Sequence, residues 1–186
     1  MARTEPGSDE ALLRAVAAGD ARALTRLYER YADALFGYLY QLAGDRMTAE
    51  EILQDTMLAV WRSAAAFEAR SKATTWLFGV ARRQAHNRLR GRYGPQTLGV
   101  PLPDRPDQGA GPDDLAIAAA GGTPVAVAVD RLPDHHRDVI ALVFVAGLPL
   151  ADVAEMLAIP IGTVKSRLHH ARAAVAAALT AQEVPE

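Results

Sequence analysis

The segment that limits the fold most strongly lies in the middle of the chain. From Gly94 to Pro124 it reads GPQTLGVPLPDRPDQGAGPDDLAIAAAGGTP and is dense in glycine, proline and aspartate. These residues favour turns and connecting segments, and they interrupt helices and strands. The sequence therefore predicts two small domains, residues 1–93 and residues 124–181, joined by a flexible linker over residues 94–123.

Apolar residues in the first domain recur at helical spacing. Leu24, Leu27, Tyr31, Leu35 and Leu39 follow one another at steps of three and four residues, which is the period of one face of an α-helix. We predict a bundle of four helices over about residues 9–18, 21–43, 48–66 and 76–91.

Two of these helices carry candidate capping residues at their predicted starts. Thr48 and Glu51 have the spacing of a capping box, in which each side chain accepts a hydrogen bond from the other residue's backbone. Thr74 or Thr75 is expected to cap the fourth helix. The segment before it, from Phe67, is predicted to be a loop.

The second domain is predicted to be a smaller, all-helical unit. Helices are expected over about residues 124–131, from Pro133 to about Gly147, over residues 150–157 and over about residues 161–179. Two short helices joined by a tight turn form the helix-turn-helix pattern. The fold class predicted for the whole chain is all-α, with two small helical domains.

The final helix separates an apolar stripe from a basic face. The stripe comprises Val164, Leu168, Ala171 and Val175, and it is expected to pack on the preceding helix. The second helix of a helix-turn-helix enters the major groove of DNA, where lysine, serine and histidine reach base edges while arginine and threonine contact phosphates. The candidate DNA-binding residues are Thr163, Lys165, Ser166, Arg167, His169, His170 and Arg172. An ordinary solvated basic face is the alternative.

A second basic patch lies at the end of the first domain, although the whole chain has a net charge of −2. From Ser71 to Tyr93 every charged residue is a lysine or an arginine. Basic side chains beside a polar loop fit a path for a DNA strand, and a solvated face is again the alternative.

The third helix has a second apolar stripe that a core helix does not need. Leu53, Met57 and Val60 form the expected core stripe, whereas Leu58 and Trp61 lie roughly 100° further round. The pattern favours an exposed surface for a protein partner. A helix buried on most of its circumference is the alternative.

These segments resemble the extracytoplasmic-function (ECF) group of sigma-70 family RNA polymerase sigma factors. The stretch GLPLADVAEMLAIPIGTVKSRLHHAR is similar to region 4 of that family, although related helix-turn-helix modules occur in response regulators. Three further stretches resemble region 2 in the right order: DEALLRAVAAGDARALTRLYERYADALFGYLYQLAGD, AEEILQDTMLAVWR and TTWLFGVARRQAHNRLRGR. The resemblance therefore covers both predicted domains.

The resemblance implies partners and roles for the candidate surfaces. The coiled-coil clamp of the RNA polymerase large subunit would dock on Gln54, Asp55, Leu58, Trp61 and Arg62. The minus-10 promoter element would be melted and recognised by Phe67, Ser71, Lys72, Arg82, Arg83, Asn87, Arg88 and Arg90. The final helix would recognise the minus-35 element, and an anti-sigma factor is an expected further partner.

Two other function classes stay open from the residues themselves. One is a stand-alone helix-turn-helix regulator whose first domain dimerises or senses a signal. The other is a small helical enzyme or metal protein that uses its histidines. No catalytic pattern stands out, the chain has no cysteine, and adjacent histidines on a helix chelate poorly. We expect no enzymatic activity, no cofactor and no metal.

The remaining expectations concern location and two unusual positions. The chain begins without a secretory signal and has no run long enough to span a membrane, so we expect a cytoplasmic protein. His169 and His170 suggest that DNA affinity rises as the pH falls towards the histidine pKa. Ala158 occupies a turn position where glycine or asparagine would adopt a left-handed conformation more easily.

Overall fold

The computed structural model describes residues 7–93 and 123–182, and these residues fall into two compact units divided between Arg92 and Tyr93. Unit 1 contains α1 (Asp9–Ala17), α2 (Ala21–Ala43), α3 (Arg46–Ser63), a 3-10 turn (Ala64–Ala66) and α4 (Ala73–Tyr93). Unit 2 contains α5 (Pro124–Asp130), α6 (Asp134–Ile140) with a π-helical turn (Ala141–Val145), α7 (Leu150–Leu157) and α8 (Ile161–Gln182). The described residues contain no β-strand, and the all-α prediction is confirmed.

The predicted linker, residues 94–123, lies outside the described residues except for Thr123. The linker and its boundaries therefore stay a prediction. Within the described ranges no helix combines the length and the hydropathy that crossing a membrane requires.

Capping residues fix where α1 and α2 begin and where α2 ends. Ser8 accepts a hydrogen bond from the Ala11 N–H at the start of α1, and Asp20 accepts one from the Arg22 N–H at the start of α2. Gly44 ends α2 in the left-handed conformation with φ +75°, which a residue without a side chain adopts at little cost.

The two predicted caps of the later helices were wrong. Asp45 caps α3, because its carboxylate accepts a 2.8 Å hydrogen bond from the Thr48 N–H, so the helix begins at Arg46 and Thr48 lies inside it. α4 begins at Ala73, which places Thr74 and Thr75 in its first turn. The Thr74 hydroxyl instead lies 3.2 Å from the Tyr31 hydroxyl of α2.

A continuous apolar core holds unit 1 together. The cluster joins Leu13 of α1, Leu27 of α2, Val60 of α3 and Leu77 of α4, all of which are buried. Tyr38 packs edge to face on Phe78 at 5.6 Å between ring centroids. Because every helix contributes to this core, the orientation of each helix about its own axis is set by packing.

A polar network joins the starts of α1 and α4 to the middle of α2. Asp9 accepts hydrogen bonds from both Arg30 and Tyr31, and the Tyr31 hydroxyl also reaches Thr74 at the start of α4. Burial raises the pKa of Tyr31, and the hydrogen bond to Asp9 raises it further. The start of α4 is thereby tied to α1 and α2.

Unit 2 is built around α8. Its core joins Ala128, Val129 and Leu132 with Ile140 of α6 and with Ala171 and Val175 of α8. The apolar stripe of α8 is buried as predicted, but its C-terminal half packs against α5 and α6 and not on α7 alone. The short α7 packs on the beginning of α8, where Val153 and Val164 are both fully buried.

The turn between α7 and α8 contains a strained residue. Ala158 ends α7 with φ +52° and ψ +43°, a left-handed conformation that a residue with a Cβ rarely adopts. The strain follows from the tight reversal, which must bring α8 back against α7.

We predict that Ala158→Gly stabilises unit 2. The left-handed conformation costs alanine about 1–2 kcal/mol, and the extra freedom of an unfolded glycine offsets about 0.4–1 kcal/mol of this. The net gain should reach up to about 1 kcal/mol in urea denaturation followed by circular dichroism. Ala151→Gly, at an exposed helical position of α7, is the matched control and should destabilise. A variant Ala158→Gly that is no more stable than the parent would show that the turn is unstrained.

Candidate functional site

The solvent-facing side of α3 carries two large apolar side chains. Leu58 is 52% exposed and Trp61 is 38% exposed, whereas Leu53 and Val60 are buried in the core. Gln54 is exposed as well. Burying Leu58 and Trp61 against a partner would remove apolar surface from water, which favours association.

The exposed side of α3 follows the spacing of a coiled-coil helix. Met47, which is 72% exposed, begins a series that continues with Glu51, Gln54, Leu58 and Trp61 at steps of four, three, four and three residues. We call this series the α3 seam. Helices that meet along such a seam repeat their contacts every 3.5 residues on average. The sequence analysis missed Met47 and Glu51, although the alternating spacing was available to find them.

A groove between α3 and α4 adjoins the seam. It has a volume of about 480 Å³ and is lined by Leu58 and Val80, with Asp55, Arg62 and Arg83 around it. The groove brings Arg83, predicted to bind DNA, next to three residues predicted to bind the polymerase.

Arg88 lies against α3. Its guanidinium donates to the Asp55 carboxylate at 2.9 Å and to the Glu51 carboxylate. The structure brings Arg88 of the predicted DNA surface together with Asp55 of the predicted polymerase surface.

The loop before α4 leaves one of its predicted DNA-binding residues exposed to solvent and packs another against the core. Phe67 is half-buried against the core and lies edge to face on Trp76 at 5.7 Å between ring centroids. Lys72 is exposed and Ser71 is half-buried. Ala69 has φ +54°, so the loop makes a tight reversal without a glycine.

The other predicted DNA-binding residues of α4 differ in exposure. Arg83 and Asn87 are exposed, and Arg82 is half-buried. The side chain of Arg90 lies outside the described residues. On α4, Arg83 and Asn87 are therefore accessible to solvent.

The basic face of α8 is accessible along its first three turns. Lys165 and His170 are exposed, and the other five candidates are half-buried: Thr163, Ser166, Arg167, His169 and Arg172. Val164 and Ala171 are buried on the opposite side, which fixes the basic face towards solvent.

Folding brings the two histidine pairs into one cluster. The ring centroids of His135 and His136 lie 4.3 Å apart, those of His136 and His170 lie 6.2 Å apart, and those of His169 and His170 lie 5.7 Å apart. No group of three or more metal-ligating side chains that could hold a metal ion occurs in the described parts of the chain. Sequence alone could not find this cluster, because it depends on how α6 packs on α8.

The cluster disfavours protonation of its inner members. Burial lowers the pKa of His136 to about 4, and the positive charges of His135, His170 and Arg167 contribute to this shift. Burial and Arg167 also lower the pKa of His135, which Asp134 partly opposes. His136 is therefore a neutral imidazole near neutral pH.

Both units match known protein families. Residues 27–93 match the family Sigma-70 region 2, and residues 128–177 match the family Sigma-70, region 4. The chain is 33% identical over 169 residues to the ECF RNA polymerase sigma factor SigL of Mycobacterium tuberculosis, with 90% of this chain and 94% of the relative covered. It is 26% identical over 172 residues to the ECF RNA polymerase sigma factor SigW of Bacillus subtilis, with 88% and 92% covered.

Two solved structures share the fold. CnrH in complex with the cytosolic domain of CnrY superimposes with a TM-score of 0.68 at 22% identity, covering 93% of this chain and 97% of that one. The sigma factor RpoE of Bartonella quintana, in complex with the anti-sigma factor NepR, gives a TM-score of 0.64 at 24% identity, covering 84% and 96%.

We predict that acid selectively destabilises unit 2 through His136. Its pKa is about 4 in the folded chain against an ordinary value of 6.5. Between these values the unfolded chain binds the proton and the folded chain does not, so the stability present above pH 6.5 is lost as the pH falls. His136→Gln should reduce this loss by about 1 kcal/mol at about pH 5, since solvent screens this half-buried side chain.

Urea denaturation can separate the two units in this test. Circular dichroism follows both units, whereas fluorescence follows unit 1 alone, because both tryptophans, Trp61 and Trp76, lie there. The fluorescence transition should respond equally to pH in the two proteins. An identical pH dependence of the circular dichroism transition in both proteins would contradict the prediction.

Proposed function

The chain belongs to the extracytoplasmic-function group of the sigma-70 family of RNA polymerase sigma factors, and we propose how its surfaces divide the work of promoter-directed transcription initiation. The α3 seam binds core RNA polymerase, the loop before α4 and α4 itself engage the minus-10 element, and α8 recognises the minus-35 element. The chain carries out no chemistry of its own in this scheme, because the polymerase supplies the active site.

The observation that carries this proposal is the α3 seam. Leu58 and Trp61 are exposed at heptad spacing on a helix whose opposite face is buried. The clamp of the polymerase large subunit is a coiled coil, so a helix with a coiled-coil seam fits it. Gln54, Asp55 and Arg62 border the apolar residues and supply the polar rim that protein interfaces usually have.

The minus-10 element would be held between the loop and α4. A base extruded from the duplex needs a pocket with stacking and hydrogen-bonding groups, and its extrusion costs a few kcal/mol. Ser71 and Lys72 are accessible for such contacts, and Arg83 and Asn87 extend the path along α4. Phe67 would contribute as a wall of the pocket, because its ring is packed on Trp76.

The minus-35 element would be recognised by the beginning of α8 in the major groove. Lys165, Ser166, His169 and His170 are the candidates for base edges. Thr163, Arg167 and Arg172 suit phosphate contacts, which orient the helix but carry no sequence information.

An anti-sigma factor is the further partner that we propose. RpoE, one of the structural neighbours, was solved in complex with the anti-sigma factor NepR. An inhibitor that covers the α3 seam would block polymerase binding directly. We place the protein in the cytoplasm, where the polymerase and the promoters are.

A stand-alone regulator is less well supported. Such a protein needs no second domain of the region 2 family, yet residues 27–93 match that family. It would bind DNA tightly without polymerase and would not direct polymerase-dependent transcription. The experiments below measure that transcription.

We predict that the double variant Leu58→Asp/Trp61→Ala loses polymerase-dependent transcription. Central aromatic and apolar interface residues contribute about 2 kcal/mol or more each, so activity should fall by at least about thirtyfold. The measurement is transcription in vitro by purified protein and core RNA polymerase on a library of promoter fragments. Tyr28→Asp is the control, because Tyr28 is an exposed aromatic residue of α2 outside the seam. Equal loss in the control, or no loss in the double variant, would exclude the seam as the docking site.

We predict that Lys165→Ala relaxes the base preference in the minus-35 element. A lost base contact costs about 1–3 kcal/mol at one position and little elsewhere. The transcripts from promoters with base substitutions in this element report the preference directly. Arg26→Ala, which removes one positive charge from an exposed position of α2, is the control. Uniform weakening across all sequences would assign Lys165 to a phosphate instead.

A further inference from the structure

Arg88, which is predicted to bind DNA, pairs with two acidic residues of α3. One terminal nitrogen donates to Asp55 at 2.9 Å and the other donates to Glu51, which lies one turn earlier on α3. All three side chains are between 40% and 48% exposed. Each pair is therefore weak enough for a competing partner to displace it, because solvent screens exposed ion pairs.

The carboxylates of Glu51 and Asp55 occupy the N–H groups of Arg88 that a phosphate would need. A guanidinium binds carboxylates and phosphates through the same planar fork of N–H groups. The three residues together carry a formal charge of −1, so this part of the surface repels a DNA strand. Without the arginine, the two carboxylates would face each other at i and i+4 on one helix, which is unfavourable.

The acidic partners belong to the surface that a docking helix covers. Glu51 is a member of the α3 seam, and Asp55 borders it and lines the adjoining groove. A helix that seats on the seam and presents cationic groups to Glu51 and Asp55 would compete with Arg88 for both carboxylates. Arg88 would then lose its partners while remaining on the exposed side of α4.

We propose that Glu51 and Asp55 sequester Arg88 in the free chain, and that polymerase docking on the α3 seam releases it to bind the minus-10 DNA strand. This inference rests on the proposed function of the seam. It makes the DNA affinity of unit 1 depend on whether the polymerase is bound. Free sigma factor then binds DNA weakly, which limits unproductive occupation of DNA.

The test measures binding of the full chain, without polymerase, to a fluorescent single-stranded DNA oligonucleotide of mixed sequence. Glu51→Gln/Asp55→Asn should raise the affinity by about threefold to tenfold, because it frees one arginine and removes two negative charges. The charge-matched control is Glu29→Gln/Asp33→Asn, an exposed pair of acids at the same i,i+4 spacing on α2. The control isolates the effect of net charge and should change affinity by less than about twofold.

Adding Arg88→Ala completes a double-mutant cycle. In the parent chain this substitution should cost less affinity for the oligonucleotide than it does in the Glu51→Gln/Asp55→Asn background, because the guanidinium is already occupied. In the Glu51→Gln/Asp55→Asn background it should abolish the gain. An equal gain with or without Arg88, an equal gain in the control, or no gain at the highest protein concentration would each overturn the proposal.

A second measurement separates this inference from the function on which it rests. In the complex with core polymerase, Arg88→Ala should lower promoter opening by about threefold to tenfold, since docking has released the side chain. Transcription by the parent chain without any effect of Arg88→Ala would leave the sigma function intact and overturn the inference alone. Absence of specific transcripts with the parent chain would overturn the proposed function itself.

Discussion

The packing of one face of α3 is the constraint on which the rest of unit 1 depends. Ile52, Thr56 and Val60 repeat every four residues and are fully buried. Three buried residues in one line fix the rotation of a helix about its axis, because turning it would expose all of them. With that rotation fixed, the α3 seam must face solvent. Its exposed apolar side chains are therefore a consequence of the core, and their function follows from where the core leaves them.

The packing of each core also decides where the charged side chains lie in both units, although the chain is nearly neutral overall. Basic residues lie on α4 and α8, and each of these helices keeps an apolar stripe in its own core. Acidic neighbours then decide whether each basic side chain is available to another partner. Arg88 is held by two carboxylates of α3, whereas Lys165 is exposed to solvent. In unit 2 burial lowers the pKa of His136, and the neighbouring imidazoles and Arg167 lower it further, so His136 stays neutral.

Much of the fold was predictable because helical periodicity is a local signal. The spacing of apolar residues predicted α2 and α7 to within a residue, since the periodic pattern and the stop signal at Gly44 or the turn at Ala158 lie in the same stretch. The predicted start of α3 was wrong because aspartate and threonine are both good capping residues, and the structure uses Asp45 and not Thr48. The choice between them depended on which side chain could reach a free N–H, and composition does not encode that geometry.

The sequence by itself determined the all-α class, the two apolar stripes of α3 and the basic faces of α4 and α8, since each follows from residues within a few turns of one helix. Tertiary structure alone decided that Phe67 packs on Trp76, that Arg88 pairs with Glu51 and Asp55, and that His136 meets His170. The contacts of Arg88 and His136 join segments distant in the chain, and the contact of Phe67 joins a loop to the helix that follows it. Their partners are selected by how the helices pack, which no local spacing specifies.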